Sequence, residues 1–271
     1  MRLNEYSEVN ILKTRTSAAY ARGCFHLLIV GALLSATITA ARAQVAPLAP
    51  KWLAGTPPPP VETFADGLTR HHIDLTETAL IAALANPNGE VRSLAAAQVA
   101  AMDDHPALTA ILEAMEAESD FQVQVNLAGA ASWLDSRRAL DQLQRLCQNI
   151  NVSSATRLDA ARYVSNKELP TCFPAVEQIE QSDQDASIRI QALTAAVNYQ
   201  GQGDKAQALA ISALTDRDPT VRIAAADALR SLHAAGAAGP LTHALQVESD
   251  DTVREHLRQA IRTLRAADAA H

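Results

Sequence analysis

Apolar residues return at the same offsets in six successive segments of the chain. Each segment has a β-branched anchor after a polar turn, and neighbouring anchors are 32 or 33 residues apart. The residues four and eight positions after the anchor are apolar in all six segments, which places one apolar stripe along a helix. The anchors are Val91, Val123, Thr156, Ile188, Val221 and Val253. The pattern predicts an amphipathic second helix in each of six repeats.

A short polar residue stands three positions before each anchor, where its side-chain oxygen can accept the free N–H groups of the first helical turn. These predicted caps are Asn88, Asp120, Ser153, Asp185, Asp218 and Asp250. Predicted first helices before the turns are Leu75–Leu84, Ala107–Ala117, Ala139–Cys147, Phe173–Gln181, Ala206–Leu214 and Pro240–Gln246. One helix pair cannot bury its apolar face alone, so the pairs must stack. We therefore predict an all-α fold, an α-solenoid of about six stacked helix pairs.

The N-terminal segment has the plan of a secretory signal peptide. Basic residues precede an apolar stretch over residues 25–40, and Ala41-Arg42-Ala43 follows as a small-x-small cleavage motif. We predict a signal peptide over residues 1–43 with cleavage after Ala43. The alternative is an uncleaved membrane anchor, although a spanning helix needs about 20 apolar residues.

A proline-rich linker is predicted over residues 44–70, and the repeat domain over residues 71–271. Pro57 to Pro60 form an unbroken run, which forces an extended backbone and forbids helix. The run is interpreted as a semi-rigid spacer; the alternative is a ligand for an aromatic-lined groove.

Composition and charge restrict the classes of partner. The 271 residues are 48% hydrophobic and carry a net charge of −7, which excludes a disordered or collagen-like chain. Residues 44–271 alone hold 18 basic and 28 acidic residues, a net charge of −10. An acidic chain is poorly suited to phosphate backbones and anionic membranes. We expect no nucleic-acid partner and no membrane contact after signal cleavage.

The stretch Asp218–Leu229 (DPTVRIAAADAL) resembles HEAT-like repeats, in the short variety also found in bilin-lyase-type proteins. The resemblance extends over about residues 72–267. In that family the arginine after the anchor and an acid of the turn form a ladder between neighbouring repeats. The arginine recurs as Arg92, Arg157, Arg189, Arg222 and Arg254. Gln124 takes its place in the second repeat, so the ladder is expected to be interrupted there.

No catalytic, cofactor-binding or metal-binding residues are predicted. The chain lacks the motifs of zinc proteases, serine hydrolases and phosphate-binding loops. Asp103-Asp104-His105 offers metal-ligand side chains, but it falls at a turn between repeats where an aspartate caps the next helix. His71-His72 is interpreted as the exposed start of the first helix.

Two cysteines remain after signal cleavage, Cys147 and Cys172, on the first helices of the third and fourth repeats. An exported chain favours pairing. If the two helices run parallel, the helix ends would lie about 10 Å apart, which exceeds disulfide reach. The irregular stretch 166–174 could bring them closer, so a disulfide and two buried thiols both stay open.

The predicted function is a non-enzymatic protein-interaction scaffold exported to the periplasm. The resemblance implies that second helices line a concave face, which would bind a protein or peptide. The partner-binding residues predicted there lie three, six and ten positions after the anchors: Asn126, Trp133, Asp159, Arg162, Gln191, Thr194, Asn198 and Asp227. Trp133 is either core filling or an interface anchor. An alternative, implied by the resemblance alone, is an enzyme or enzyme accessory of the HEAT-like lyase type.

Overall fold

The computed structural model describes residues 63–165 and 169–268, and these contain thirteen α-helices, three short 3₁₀ helices and no strand. The α-helices are α1 (Phe64–Arg70), α2 (Glu77–Ala83), α3 (Gly89–Ala101), α4 (Leu108–Ala117), α5 (Phe121–Trp133), α6 (Arg137–Gln148), α7 (Ser154–Ser165), α8 (Phe173–Ser182), α9 (Ala186–Val197), α10 (Gly203–Ala213), α11 (Pro219–Ser231), α12 (Ala238–Val247) and α13 (Asp251–Asp268). The 3₁₀ helices are His105–Ala107, Pro170–Cys172 and Ala235–Ala237. The predicted signal peptide, its cleavage site and the proline run lie outside the described residues.

Helices α2 to α13 form six consecutive pairs, which we number as repeats 1 to 6. Each first helix packs against the second helix of its own repeat, and each second helix packs against the second helix of the next repeat. This arrangement is an α-solenoid, so the predicted fold class is confirmed. None of the helices in the described part of the chain is long and apolar enough to span a bilayer.

All six predicted caps are confirmed. In each repeat the cap side chain accepts a backbone N–H from the first turn of the second helix, at 2.8 to 3.2 Å. Pro219 occupies the first position of α11, where the lack of an N–H removes no helical hydrogen bond. The caps fix the start of every second helix and therefore the register of its apolar stripe.

The apolar stripe faces the interior in every repeat. Residues four positions after the anchors are at most 1% exposed, and those eight positions after are at most 7% exposed. Alanine fills many of these positions, so neighbouring second helices lie close together. A continuous core therefore runs through the stack rather than one core per repeat.

The helical body begins earlier than predicted, because part of the segment assigned to the linker 44–70 is helical. Thr63 caps α1 through a reciprocal pair, in which Asp66 N–H donates to Thr63 Oγ1 at 3.1 Å and Thr63 N–H donates to Asp66 Oδ2 at 3.0 Å. Leu68 is fully buried, and α1 packs on α3. The helical body therefore includes residues 63–70, which the prediction assigned to the linker. Helix α1 packs on α3 in the way that the second helix of one repeat packs on that of the next, so it is equivalent to the second helix of a repeat before repeat 1.

Gly129 of α5 faces the Tyr163 ring of α7. A Cβ atom at this position would lie 2.4 Å from Cζ of the Tyr163 ring on α7. Such a distance is far inside van der Waals contact, so only glycine leaves room for the ring. Gly129 therefore accommodates the Tyr163 ring between repeats 2 and 3.

We expect Gly129→Ala to destabilise the protein, although alanine is normally favoured over glycine inside a helix by up to about 1 kcal/mol. Overpacking against Tyr163 should outweigh that gain and cost about 1–3 kcal/mol in the free energy of unfolding, measured by urea titration. The matched control is Gly239→Ala in α12, where a Cβ atom meets nothing within 4 Å. An equal or stabilising effect of Gly129→Ala would contradict the steric account.

Candidate partner-binding surface

The structure places all eight predicted partner-binding residues on or at the end of second helices. Asn126 and Trp133 lie on α5, and Asp159 and Arg162 on α7. The other three helix positions are Gln191 and Thr194 on α9 and Asp227 on α11, and Asn198 is the C-cap of α9. We call the outward-facing side of the second helices the second-helix face. The eight residues differ in what their side chains contact.

In repeats 1 to 3 the predicted polar residues join neighbouring helices. The Asn126 amide donates to Ser93 Oγ on α3 at 3.2 Å. The Gln122 amide donates to Asp159 Oδ2 on α7 at 3.0 Å and accepts from the Thr156 hydroxyl at 2.7 Å. Asn126 and Asp159 are thus engaged within the protein, which sequence reasoning did not show. They form a polar chain that holds three second helices together.

Arg162 lies at the edge of this polar chain. Its guanidinium contacts the Asp159 carboxylate one turn earlier on the same helix. Its side chain is nonetheless 60% exposed. The remaining N–H groups of Arg162 are therefore accessible to a carboxylate of another molecule.

Repeat 4 differs, because its predicted residues keep their side chains on their own helix. Gln191, Thr194 and Asn198 are all exposed. The Thr194 hydroxyl donates to the Ile190 carbonyl at 3.0 Å, and the Asn198 amide donates to the Thr194 carbonyl at 2.8 Å. Helix α9 thus presents amide and hydroxyl groups outward on the second-helix face.

Trp133 combines the two interpretations left open by the sequence. It is half-buried and packs against the core at the end of α5. It follows Gly129 by one helical turn on the same face, beside the helix that carries the Tyr163 ring. A part of the Trp133 surface therefore stays exposed next to a close helix–helix contact.

Asp227 connects the last two repeats. Its carboxylate lies 3.3 Å from Nη2 of Arg230 on its own helix and 3.3 Å from Nδ1 of His256 on α13. Like Asn126 and Asp159, it bridges helices instead of standing free.

Arginine–carboxylate pairs link several repeats on the other side of the second helices. Each arginine donates to a carboxylate in the turn of the next repeat at 2.6 to 2.9 Å, and also to a backbone carbonyl of its own turn. We call each pair a rung. The three rungs are Arg92 with Glu118, Arg189 with Asp216, and Arg222 with Glu248. Their side chains are only 4 to 19% exposed, so the charges are largely removed from water.

The acid of the rung is not the capping aspartate of the turn. It stands five positions before the anchor, whereas the cap stands three positions before and accepts backbone N–H groups. Hydrogen bonds from Arg222 lower the pKa of Glu248 below its ordinary value. The ladder implied by the family resemblance is therefore present at three junctions, and its acid is the turn residue five positions before the anchor.

The ladder is interrupted at two junctions rather than one. Gln124 donates to the backbone carbonyl of Met115 at 3.1 Å and reaches no acid of repeat 3. Arg157 is buried and donates to the carbonyl of Cys147 at 2.9 Å and to Gln178 Oε1 at 3.0 Å. The first interruption was predicted from the sequence. The second was not, because position 157 has the expected arginine, and only the structure shows that no carboxylate of the described residues lies within reach of it.

Cys147 and Cys172 form a disulfide between repeats 3 and 4, with their Cα atoms 5.8 Å apart. Both residues are fully buried. The estimated separation of about 10 Å between helix ends was too long, because the 3₁₀ helix Pro170–Cys172 brings the chain back towards the end of α6. The structure thus selects the disulfide over two free thiols.

A buried carboxyl group lies next to one rung. Glu180 of α8 is 3% exposed, and burial raises its pKa to about 7. The nearby Asp216 carboxylate adds to the rise, and Arg189 opposes it. Glu180 was not foreseen, since a glutamate in the middle of an amphipathic helix looks like an ordinary surface residue.

The turn at Asp103-Asp104-His105 acts as a helix start. Asp104 Oδ1 accepts the Ala107 N–H at 3.4 Å and caps the 3₁₀ helix His105–Ala107. Within residues 63–165 and 169–268, no group of three His, Cys, Asp or Glu side chains is arranged to hold a metal ion.

A groove of about 570 Å³ opens on the first-helix side of repeats 1 and 2. It is lined by Ile81 and Leu84 of α2 and by Ala110 and Ala114 of α4, with the Arg92–Glu118 rung at its end. In the sequence these apolar residues look like ordinary core residues of the first helices, so the groove was not predicted.

We expect Arg222→Met to cost about 3–5 kcal/mol in the free energy of unfolding, because it leaves the buried Glu248 carboxylate without its cation. Urea unfolding at neutral pH measures the loss. The control is Arg138→Met, which removes an exposed partner of Glu116 and should cost at most about 1 kcal/mol. Similar losses in the two variants would show that the rungs contribute no more than surface pairs.

We expect Glu180→Gln to stabilise the protein at pH 8 and to have little effect at pH 4. The folded-state pKa is raised from 4.5 to about 7, so the wild type loses stability as the pH rises from 4.5 to about 7. The difference corresponds to about 3 kcal/mol above pH 7. Unfolding titrations across this pH range test the effect, with Glu177→Gln on the same helix as control. A pH-independent effect of Glu180→Gln would refute the assignment.

Comparison with known families agrees with this geometry. A family model described as HEAT repeats matches residues 173–262, which span repeats 4 to 6. No curated protein shows a significant match to the chain. The bilin-lyase subdivision stays a prediction. Repeats 1 to 3 contain the same helix pairs and caps, and one rung joins repeats 1 and 2, so the matched repeats 4 to 6 and the rest of the described array share one HEAT-like architecture.

Proposed function

We propose that the protein is an exported, non-enzymatic scaffold that binds a protein or peptide on its second-helix face. HEAT repeats suggest a repeat scaffold for protein interaction, and the proposal adds the site, the compartment and the absence of catalysis. The observation that carries it is the outward presentation of Gln191, Thr194 and Asn198 on α9. Asn126, Asp159 and Asp227 are engaged between helices, whereas these three are not.

The chemistry of this surface suits a neutral or weakly acidic polypeptide segment. Side-chain amides and hydroxyls offer both donors and acceptors, which match the N–H and C=O groups of an extended backbone. Arg162 on the adjacent α7 offers a cation to a carboxylate of the partner. Trp133, further along the face, has the amphipathic character of residues that dominate binding at protein interfaces.

Two features support export. The N-terminal 43 residues have the pattern of a cleavable signal peptide, which favours a periplasmic or secreted location. The Cys147–Cys172 disulfide supports the same conclusion, because disulfides persist in oxidising compartments and are rare in the cytosol.

We expect affinity capture of the C-terminally tagged chain from its own host to yield an exported protein partner and a bait trimmed to residues 44–271. Gln191→Ala should weaken binding of the captured partner about tenfold, which corresponds to the loss of a well-placed interfacial hydrogen bond. Binding is measured by titration with the purified partner, and the bait by intact mass.

The matched control is Gln181→Ala, which removes the same side chain from an exposed position on the first helix of the same repeat. Equal weakening by both variants would argue against the second-helix face. A full-length bait mass would contradict cleavage, and an unexplained added mass would indicate a bound cofactor and refute the purely structural role.

A further inference from the structure

The junction between repeats 3 and 4 is built differently from the junctions that carry rungs. At the rung position of repeat 4 stands Asp183, but it accepts a hydrogen bond from the Ser154 hydroxyl, which lowers its pKa. Arg157 donates instead to a neutral partner, Gln178, at 3.0 Å. This junction therefore lacks the paired buried charges that join repeats 1 to 2, 4 to 5 and 5 to 6.

Helix packing at this junction is also less extensive than at the junctions that carry rungs. Helix α7 packs on α9 less extensively than α9 packs on α11, or α11 on α13, and about as extensively as α5 packs on α7. The stripe residues at this interface are Ala160 and Val164 on α7 and Ala192 and Ala196 on α9. The sparser packing gives this interface a smaller noncovalent contribution to stability than the rung-bearing interfaces receive.

The disulfide lies at the same junction. Cys147 ends the first helix of repeat 3, and Cys172 begins that of repeat 4, so the S–S bond crosses from one repeat to the next. The Cys147 carbonyl also accepts from Arg157 at 2.9 Å, which connects the covalent link to the second helix.

We propose that the Cys147–Cys172 disulfide takes over the role of the missing rung, and that its reduction divides the repeat array into two units that open independently, repeats 1–3 and repeats 4–6. The stability of a repeat array depends on the interfaces between neighbours, and the array behaves as one unit only while each interface is strong enough. Removal of the bond leaves this junction with neither a rung nor a covalent link.

The reductant is a dithiol. The S–S bond breaks and takes up two electrons and two protons, which gives two cysteine thiols and the disulfide form of the reductant. Because Cys147 and Cys172 are both fully buried, the attacking thiolate reaches sulfur only when the junction has opened. Reduction and opening of this junction are therefore coupled.

Native-state hydrogen exchange of the whole chain, followed by mass spectrometry with and without dithiothreitol, tests the proposal. After reduction, amides of α7 and α8 should exchange at least tenfold faster, whereas those of α11 and α13 should keep their protection. Uniform acceleration along the chain, or no change at α7 and α8, would overturn the proposal.

A pair of variants separates the charge from the disulfide. Cys147→Ala/Cys172→Ala should reproduce the reduced pattern without any reductant. Gln178→Glu added to this double variant supplies Arg157 with a carboxylate and should restore at least part of the protection at α7 and α8. Complete unfolding of the double variant, or no recovery with Gln178→Glu, would count against the proposal.

Discussion

The distance between neighbouring second helices is the constraint on which the rest of this structure depends. Alanine at many stripe positions lets these helices approach closely, and glycine at position 129 leaves room for the Tyr163 ring between α5 and α7. Only at this distance do short side chains such as Ser93 and Asn126 meet across helices. The rungs depend on it as well, because an arginine on one repeat must reach the next turn.

The junctions between neighbouring repeats are stabilised by three different kinds of interaction. Buried ion pairs join the outer repeats, and they require both partners because an isolated buried charge is costly. Side-chain hydrogen bonds of Gln122 with Thr156 and Asp159 join repeats 2 and 3. A covalent bond joins repeats 3 and 4. The two central junctions thus depart from the rung pattern of the others. The second of them, between repeats 3 and 4, includes α9, the helix that presents exposed polar side chains.

The sequence predicted the periodic features well because they follow from local chemistry. A cap such as Asp218 and the stripe of α11 are determined by residues within one helical turn or two. Helix α1 was missed because seven residues with one buried leucine show no periodicity. The rung acid, the Glu180 burial and the disulfide depend on packing between segments about 25 to 35 residues apart. Asn126 and Gln191 hold the same place in their repeats, yet only the first finds a partner on its neighbour, Ser93.

The rungs also bear on how such a chain grows. In repeat 5, Asp216 pairs with the arginine of repeat 4, and Arg222 pairs with the acid of repeat 6. In a tandem duplication of repeat 5, Arg222 of the first copy would lie beside Asp216 of the second copy. The duplication would therefore preserve the rung without any further substitution. Repeat 3 has Asn151 at the acid position and an arginine already committed to a backbone carbonyl. Duplication of a C-terminal repeat such as repeat 5 therefore keeps a rung at the new junction, whereas duplication of repeat 3 does not.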